Sequence, residues 1–259
     1  MPMAKRPHRL ELYEAAVQQP AASVALLDRM YRWGRSQAMP PLLLREDFAG
    51  SAALSEAWVQ SHPERQAIAV ELDSPTYRYA QRVRGQVADL HLVEADVMSF
   101  TRPRVDVVAA LNFSAMIYHD RSALLRYLKH AKQCLEPGGI LVLDLFGGSG
   151  AQRIGVQTRP ADGFTYVWEQ RQFDAVTHRI DCRIHFAWPD GHEQRSAFRY
   201  DWRLWSIPEV TELMNEAGFT GIQIWAERDD GRWGPAQRLP PREDWVVYLV
   251  ATREGGSGR

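Results

Sequence analysis

The sequence is short of cysteine, of net charge and of long hydrophobic runs. Its 259 residues include two cysteines, Cys134 and Cys182, outside any CxxC pair, which excludes a disulfide framework and a cysteine-rich zinc site. The formal net charge is -1, so no overall field favours nucleic acid or an anionic membrane. No apolar run approaches the roughly 20 residues that span a bilayer, and the first residues lack the apolar core of a signal peptide. We therefore expect a cytoplasmic protein with no membrane or nucleic-acid partner.

What remains is a composition typical of globular domains, arranged in a regular order along the chain. Residues 8–39 predict two short amphipathic helices that are separated at Pro20. From residue 41 onward, five short apolar runs alternate with helical patterns, which predicts a doubly wound α/β domain with a mainly parallel sheet. After Gly150 the apolar period changes to two, which is typical of antiparallel strands. Residues 207–218 predict a helix that two final strands follow.

Polar residues follow four of the predicted parallel strands. Glu46 and Gly50 lie in EDFAGSA, Glu71 in AVELD, Asp96 in EAD and Asn112 in ALNFS. In an open α/β sheet the ligand binds beyond the carboxyl ends of the strands, where the strand order reverses. A carboxylate 21 residues after a turn glycine is placed to accept hydrogen bonds from ribose hydroxyls. These residues therefore predict a nucleoside-type site at this edge.

Together with LEPGGILVLD, these motifs resemble those of class I S-adenosylmethionine-dependent methyltransferases over roughly residues 41–252. The resemblance implies a Rossmann-like fold with a mixed seven-stranded sheet, and S-adenosyl-L-methionine as cofactor. It also implies that Glu71 binds the ribose and that Asp96 contacts the adenine. Phe48 and Ala52 depart from the family, which usually has glycine at both positions. The implied cofactor-binding residues are Tyr13, Glu46, Gly50, Glu71, Leu72, Asp96, Val97, Asn112 and Phe113.

The candidate catalytic residues are His119, whose ordinary pKa suits proton removal near neutrality, and its neighbour Tyr118. A lone histidine is also common as a structural residue. Asp144, at the end of the fifth strand, is a candidate for the substrate pocket or an ordinary loop anchor. The same pocket is predicted to include Tyr200 and Trp202, which lie two residues apart on one face of a strand. Weaker candidates in the same segment are Glu169 and His185.

The resemblance and the periodicity together divide the chain into five segments. They are a helical N-terminal cap (1–40), an S-adenosylmethionine-binding core (41–150), an antiparallel insertion over the acceptor site (151–206), a C-terminal helix with a closing hairpin (207–253) and a flexible tail (254–259). The aromatic strands of the insertion predict a small-molecule acceptor, and the acceptor atom (N, O, S or C) stays open. We expect a monomer or homodimer.

Three other functions are consistent with parts of the pattern. A nicotinamide dehydrogenase also uses an acid after its second strand, but it needs a GxGxxG turn, which is absent. An RNA methyltransferase would need a basic surface, which the neutral charge argues against. A non-catalytic adenosyl-ligand binder on the same fold stays open, because a fold does not guarantee activity. The histidines form no HExxH motif, so no metal is expected.

Overall fold

A computed structural model describes residues 6–34 and 39–254. The chain forms two compact units, which we name the insertion unit (Met1–Gln19 and Gln152–Arg203) and the core unit (Pro20–Ala151 and Leu204–Arg259). Both predicted N-terminal helices are present, and they belong to different units. Residues 1–5 and 35–38 of the predicted cap and 255–259 of the predicted tail lie outside the described residues.

The helices are α1 (Arg9–Val17), α2 (Pro20–Arg32), α3 (Ala53–Gln60), α4 (Ser74–Arg84), α5 (Arg121–Cys134) and α6 (Ile207–Glu216). The strands are β1 (Leu43–Asp47), β2 (Gln66–Glu71), β3 (Leu90–Glu94), β4 (Val105–Ala110), β5 (Leu135–Gly147), β6 (Gly155–Ala161), β7 (Phe164–Asp174), β8 (Arg179–Ala187), β9 (Glu193–Arg203), β10 (Thr220–Glu227), β11 (Trp233–Pro235) and β12 (Trp245–Thr252). Among the described helices, none is long and apolar enough to cross a membrane.

The core unit contains one mixed sheet in the order β11-β10-β12-β5-β4-β1-β2-β3. Strands β1 to β5 are parallel, while β10, β11 and β12 pair antiparallel. The doubly wound fold is thus confirmed, with eight strands rather than the seven predicted, because β11 adds three residues to one edge. The strand order reverses between β1 and β4, whose carboxyl ends are where ligands bind in such sheets.

The apolar runs of the parallel strands fill the interior of the core unit. Leu44, Val107, Ile140 and Val142 are almost fully buried in one cluster, together with the ring of Trp58. A parallel sheet is covered on both faces, and its strands are therefore continuously hydrophobic rather than alternating. The polar candidates of the central strands lie at the carboxyl ends, beyond these apolar runs.

Helix boundaries in the core unit follow the expected capping chemistry. The Asp73 carboxylate accepts a hydrogen bond from the amide of Thr76 and begins α4, directly after β2. Ser206 and Glu209 form a capping box at the start of α6. Gly218 follows the C-cap residue Ala217 of that helix, and its φ of 84° is left-handed. These signals are local, which explains why the predicted helix boundaries agree with the structure to within a few residues.

The insertion unit is a four-stranded antiparallel sheet in the order β6-β7-β8-β9, accompanied by α1. One face is apolar and contacts the helix through Leu12, and the opposite face carries charged residues. Strand β6 was not predicted from the sequence, because its residues are mostly exposed and include Pro160. A signal for it exists in Asp162-Gly163, a two-residue turn that joins the paired residues Ala161 and Phe164.

Candidate active site

The predicted cofactor residues of the core unit lie on loops at one edge of its sheet. Glu46 ends β1 with Asp47, Glu71 ends β2, Asp96 follows β3 and Asn112 follows β4. Parallel pairing places the ends of β1, β2 and β3 side by side, with Asp47 opposite Val70 and Glu71 opposite Glu94. Tyr13, Tyr200 and Trp202, by contrast, belong to the insertion unit.

The turn after β1 contains three left-handed residues. Phe48, Gly50 and Ala52 have φ values of 59°, 59° and 63°. A left-handed conformation costs a non-glycine residue about 1–2 kcal/mol, so Phe48 and Ala52 are held by their surroundings. At Gly50 a Cβ atom would have no neighbour within 4 Å, which shows that the backbone there faces open space. The turn therefore adopts three left-handed residues although only one of them is glycine.

Glu71 connects this turn to the end of β2. One carboxylate oxygen accepts a hydrogen bond from the Gly50 amide at 2.8 Å, and the other accepts one from the Asp73 amide at 2.8 Å. Burial raises the pKa of Glu71, although the hydrogen bonds from both backbone amides lower it. The Leu72 amide adds a further backbone hydrogen bond to this carboxylate. Since an ionised carboxylate offers about four lone-pair sites, the group retains capacity to accept from ligand hydroxyl groups.

Glu46 is buried at this edge, with 4% of its surface exposed. The amide and hydroxyl of Ser55 both donate to its Oε2, at 3.0 Å and 2.6 Å. Burial raises the pKa of Glu46 to about 7, while the Ser55 bonds and the charge of Arg84 lower it. Desolvation thus favours the protonated form, and an arriving cation would favour the ionised one.

The loop after β3 presents one acidic and one apolar candidate. Asp96 is exposed, and its Oδ1 accepts a hydrogen bond from the Met98 amide at 2.8 Å. Within residues 6–34 and 39–254, its Oδ2 has no hydrogen-bond partner. Val97 is buried beside it, whereas Leu72, on the loop after β2, is 65% exposed. An exposed carboxylate oxygen and an exposed apolar side chain suit the amino edge and the face of a purine base.

Asn112 and Phe113 form a left-handed pair after β4, with φ values of 59° and 62°. The buried carboxylate of Asp144 accepts hydrogen bonds from both of their amides, at 3.0 Å and 2.7 Å. Burial raises the pKa of Asp144 to about 7, while the hydrogen bonds from these two backbone amides lower it. The ring of Phe113 packs edge-on against Phe146 at 4.9 Å. Asp144 therefore anchors this loop through both of its oxygens.

Tyr118 lies in an aromatic cluster next to the turn after β1. Its ring stacks on Tyr127 at 5.2 Å, and both rings contact Phe48. Burial raises the pKa of Tyr118, and the negative charges of Asp47 and Asp96 raise it further. The phenol is consequently protonated at neutral pH, which makes it a hydrogen-bond donor rather than a base. His119 follows it and is half-buried.

The insertion unit contains an aromatic row on the apolar face of its sheet. Tyr200 and Trp202 stack at 4.2 Å, so they share a face as their spacing predicts. The ring of Trp168 lies 6.0 Å from Tyr200, and Tyr13 hydrogen-bonds the Tyr200 side chain. Trp202 is buried, whereas Tyr200 and Trp168 are half-buried. The row combines flat apolar surfaces with a phenolic hydroxyl pair.

Glu169 and His185 lie on the opposite, polar face of the insertion sheet. His185 Nε2 is 3.1 Å from the Glu169 carboxylate, and the Ser196 amide donates to Nδ1 at 3.1 Å. Both ring nitrogens of His185 therefore have partners within the insertion sheet.

One buried polar network next to the site was not predicted from the sequence. Arg45 donates to Asp47 at 2.7 Å, and the Tyr127 hydroxyl donates to the other oxygen of Asp47 at 3.0 Å. Both members of the ion pair are fully buried. The available signal was the three consecutive charged residues of the central strand β1, Arg45, Glu46 and Asp47, because charged side chains are seldom buried without a partner.

Several solved structures with similar folds are methyltransferases. A S-adenosylmethionine-dependent methyltransferase from Clostridium acetobutylicum matches with a TM-score of 0.68 and 15% identity, covering 95% of this chain and 97% of the other. An amino pentose methyltransferase from Micromonospora echinaspora has a TM-score of 0.68 and 16% identity, with 98% and 100% covered. A sugar N-methyltransferase from a Streptoalloteichus species has a TM-score of 0.65 and 19% identity, with 98% and 96% covered. No family model and no curated protein matches the chain. The chain therefore has the class I S-adenosylmethionine-dependent methyltransferase fold.

Proposed function

We propose that this protein is an S-adenosylmethionine-dependent methyltransferase that acts on a small-molecule acceptor. The observation that carries the proposal is the Glu71 carboxylate, which joins the turn after β1 to the end of β2 at the switch point of this fold. The similar structures support it, since they are methyltransferases and the match extends over nearly their whole lengths. A cytoplasmic location and a monomer or homodimer stay sequence-based predictions.

The residues at the edge fit S-adenosyl-L-methionine. Glu71 would accept hydrogen bonds from the two ribose hydroxyls, and the open space at Gly50 leaves room for close approach of the ligand. Asp96 would accept a hydrogen bond from the adenine amino group through Oδ2, and Leu72 would pack against the face of the base. Glu46 would face the ammonium group of the methionine part, because a cation compensates the burial of its carboxylate. The left-handed pair at Asn112, with Phe113, completes the proposed cofactor residues.

When bound, the cofactor supplies a methyl group on a sulfonium centre, which an acceptor atom attacks in line. The main contribution of the chain is then to orient the acceptor and to exclude water. His119 is the proposed base for an acceptor that carries a proton, while Tyr118 stays protonated and donates a hydrogen bond. The aromatic row of the insertion unit, with Tyr200 and Trp202, is the proposed acceptor-binding surface.

Titration calorimetry with S-adenosylhomocysteine tests the cofactor site. Charge-assisted hydrogen bonds contribute about 1.5–3 kcal/mol each, so Glu71→Ala should weaken binding about tenfold or more. Glu64→Ala, an exposed carboxylate that precedes β2 at the other edge of the sheet, is the matched control and should leave the affinity unchanged. A wild-type protein that does not bind this ligand would refute the proposed function. Unchanged affinity in a folded Glu71→Ala variant would remove the residue from the site.

Methyl transfer from labelled S-adenosyl-L-methionine to a panel of small molecules tests the reaction. Amino sugars come first, because an amino pentose methyltransferase and a sugar N-methyltransferase have similar structures. Tyr200→Ala should raise the KM for the acceptor, while Tyr200→Phe, which keeps the ring, should change it less. The alternative is a non-catalytic ligand binder, which stays open because Phe48 and Ala52 stand where the methyltransferase family usually has glycine. Ligand binding without methyl transfer to any acceptor would support that alternative.

A further inference from the structure

Arg45 is a fully buried arginine in the middle of the central strand β1. Its Nε donates to Asp47 at 2.7 Å, and its Nη2 donates to the carbonyl of Val97 at 2.6 Å. Its Nη1 donates to the carbonyl of Phe100 at 2.8 Å and contacts Cys134 Sγ at 3.2 Å. The guanidinium also lies over the Phe100 ring, 4.4 Å from its centroid. All three guanidinium nitrogens are thus engaged.

These contacts join two loops of the proposed cofactor site. Val97 and Phe100 belong to the loop that carries Asp96, and Asp47 immediately precedes the left-handed turn after β1. The planar fork of an arginine reaches several acceptors at fixed angles, whereas a lysine acts as a single point charge. Arg45 therefore sets the position of the Asp96 loop relative to β1 by binding two of its carbonyl groups.

Stability alone is a weak explanation for this arrangement. A buried ion pair such as Arg45–Asp47 is often no more stabilising than apolar residues of similar volume, because both charges lose their hydration. Among the described residues, the Asp96 carboxylate accepts a hydrogen bond only from the Met98 amide of its own loop, so its direction depends on how that loop is fixed. A binding group must be held to within about 0.5 Å for full effect, which requires such support.

We propose that Arg45 is a positioning residue that fixes Asp96 for recognition of the amino group of adenine. It then determines the preference of the site for adenine over hypoxanthine, which carries a carbonyl oxygen in place of that amino group. This inference rests on the proposed function, because it requires that the edge binds an adenosyl ligand. It assigns a role to a side chain that does not itself touch the ligand.

The test compares the affinities of S-adenosylhomocysteine and S-inosylhomocysteine by titration calorimetry. The wild-type protein should prefer the adenine ligand tenfold or more, because hypoxanthine offers the Asp96 carboxylate no amino donor. Arg45→Lys keeps the charge and loses the fork, so the preference should fall to about threefold or less while the affinity for S-inosylhomocysteine changes little. This selective loss is a result that general destabilisation would not produce.

Arg65→Lys is the matched control. Arg65 is also buried, donates to the Pro41 carbonyl and to Asp28, and precedes β2 at the opposite edge of the sheet. This variant should lose stability and keep the wild-type preference. If Arg45→Lys does not fold, the double variant Arg45→Met with Asp47→Leu removes both buried charges and still leaves the two loop carbonyls without their donor. It should show the same loss of preference.

The outcomes separate this inference from the proposed function. If the wild-type protein binds neither ligand, the proposed function fails and the inference fails with it. If the wild-type protein binds both ligands equally, the proposed function stands and the role of Asp96 and Arg45 is refuted. An undiminished preference in folded Arg45→Lys, or an equal loss of affinity for both ligands, also overturns the proposal.

Discussion

Replacing Glu46 with glutamine should make the stability of the core unit less sensitive to pH. Burial raises the pKa of Glu46 from 4.5 to about 7 in the folded chain. Between these two values the folded state holds a proton that the unfolded state has released, so the free energy of unfolding of the wild-type protein falls as the pH rises. Glutamine never ionises, and its oxygen can accept both hydrogen bonds from Ser55.

The size of the effect follows from the pKa difference. At about 1.36 kcal/mol per unit, the shift corresponds to about 3 kcal/mol in total, of which about 2.5 kcal/mol falls between pH 5 and pH 8. The stability of Glu46→Gln relative to the wild-type protein should therefore rise by about this amount over that interval. Asp144 titrates in the same range, but it is present in both proteins and cancels in the difference.

Urea unfolding at pH 5, 6, 7 and 8, followed by tryptophan fluorescence, measures this difference. Ser55→Ala gives an independent check, because loss of the hydroxyl donor should raise the pKa of Glu46 and move the pH dependence upward. A difference between Glu46→Gln and the wild-type protein that stays constant from pH 5 to pH 8 would refute the reasoning. It would mean that the carboxyl group is already ionised in the folded protein at pH 5.

Two further variants test other parts of the argument. Gly218→Ala should lower the free energy of unfolding by about 1–2 kcal/mol in urea unfolding, because its φ is left-handed and an added Cβ would meet Lys132 Nζ at 2.5 Å. Wild-type stability would show that the end of α6 tolerates alanine. His119→Gln should lower kcat about 100-fold or more for an acceptor that must lose a proton, measured by methyl transfer. Unchanged kcat would exclude a role as base.

The sequence predicted most of the carboxyl edge of the core sheet, and the structure shows how its members are used. The candidates Glu46, Glu71, Asp96 and Asn112 lie at the ends of four successive parallel strands, as the alternation of apolar runs and helices indicated. Their hydrogen-bond partners were not predictable. For Asp144, the sequence left two roles open, a pocket residue or a loop anchor. In the structure both of its carboxylate oxygens accept hydrogen bonds from backbone amides.

By itself, the sequence determined the features that depend on neighbours along the chain. The apolar runs determined the buried parallel strands, because a strand that is covered on both faces is continuously apolar. The Asp73 and Ser206 caps and Gly218 fixed helix boundaries through contacts a few residues apart. The period of two after Gly150 fixed which side chains share a face, and the stacked pair Tyr200–Trp202 follows from it.

Only the tertiary structure decided which distant groups meet. The Gly50 amide and Glu71 are 21 residues apart, and Arg45 and Val97 are 52 residues apart. Edge strands such as β6 and β11 exist because a partner strand accepts their hydrogen bonds, and their own side chains show no period that predicts them. Such pairings depend on how the strands are ordered and how the loops close, which no local stretch of sequence contains.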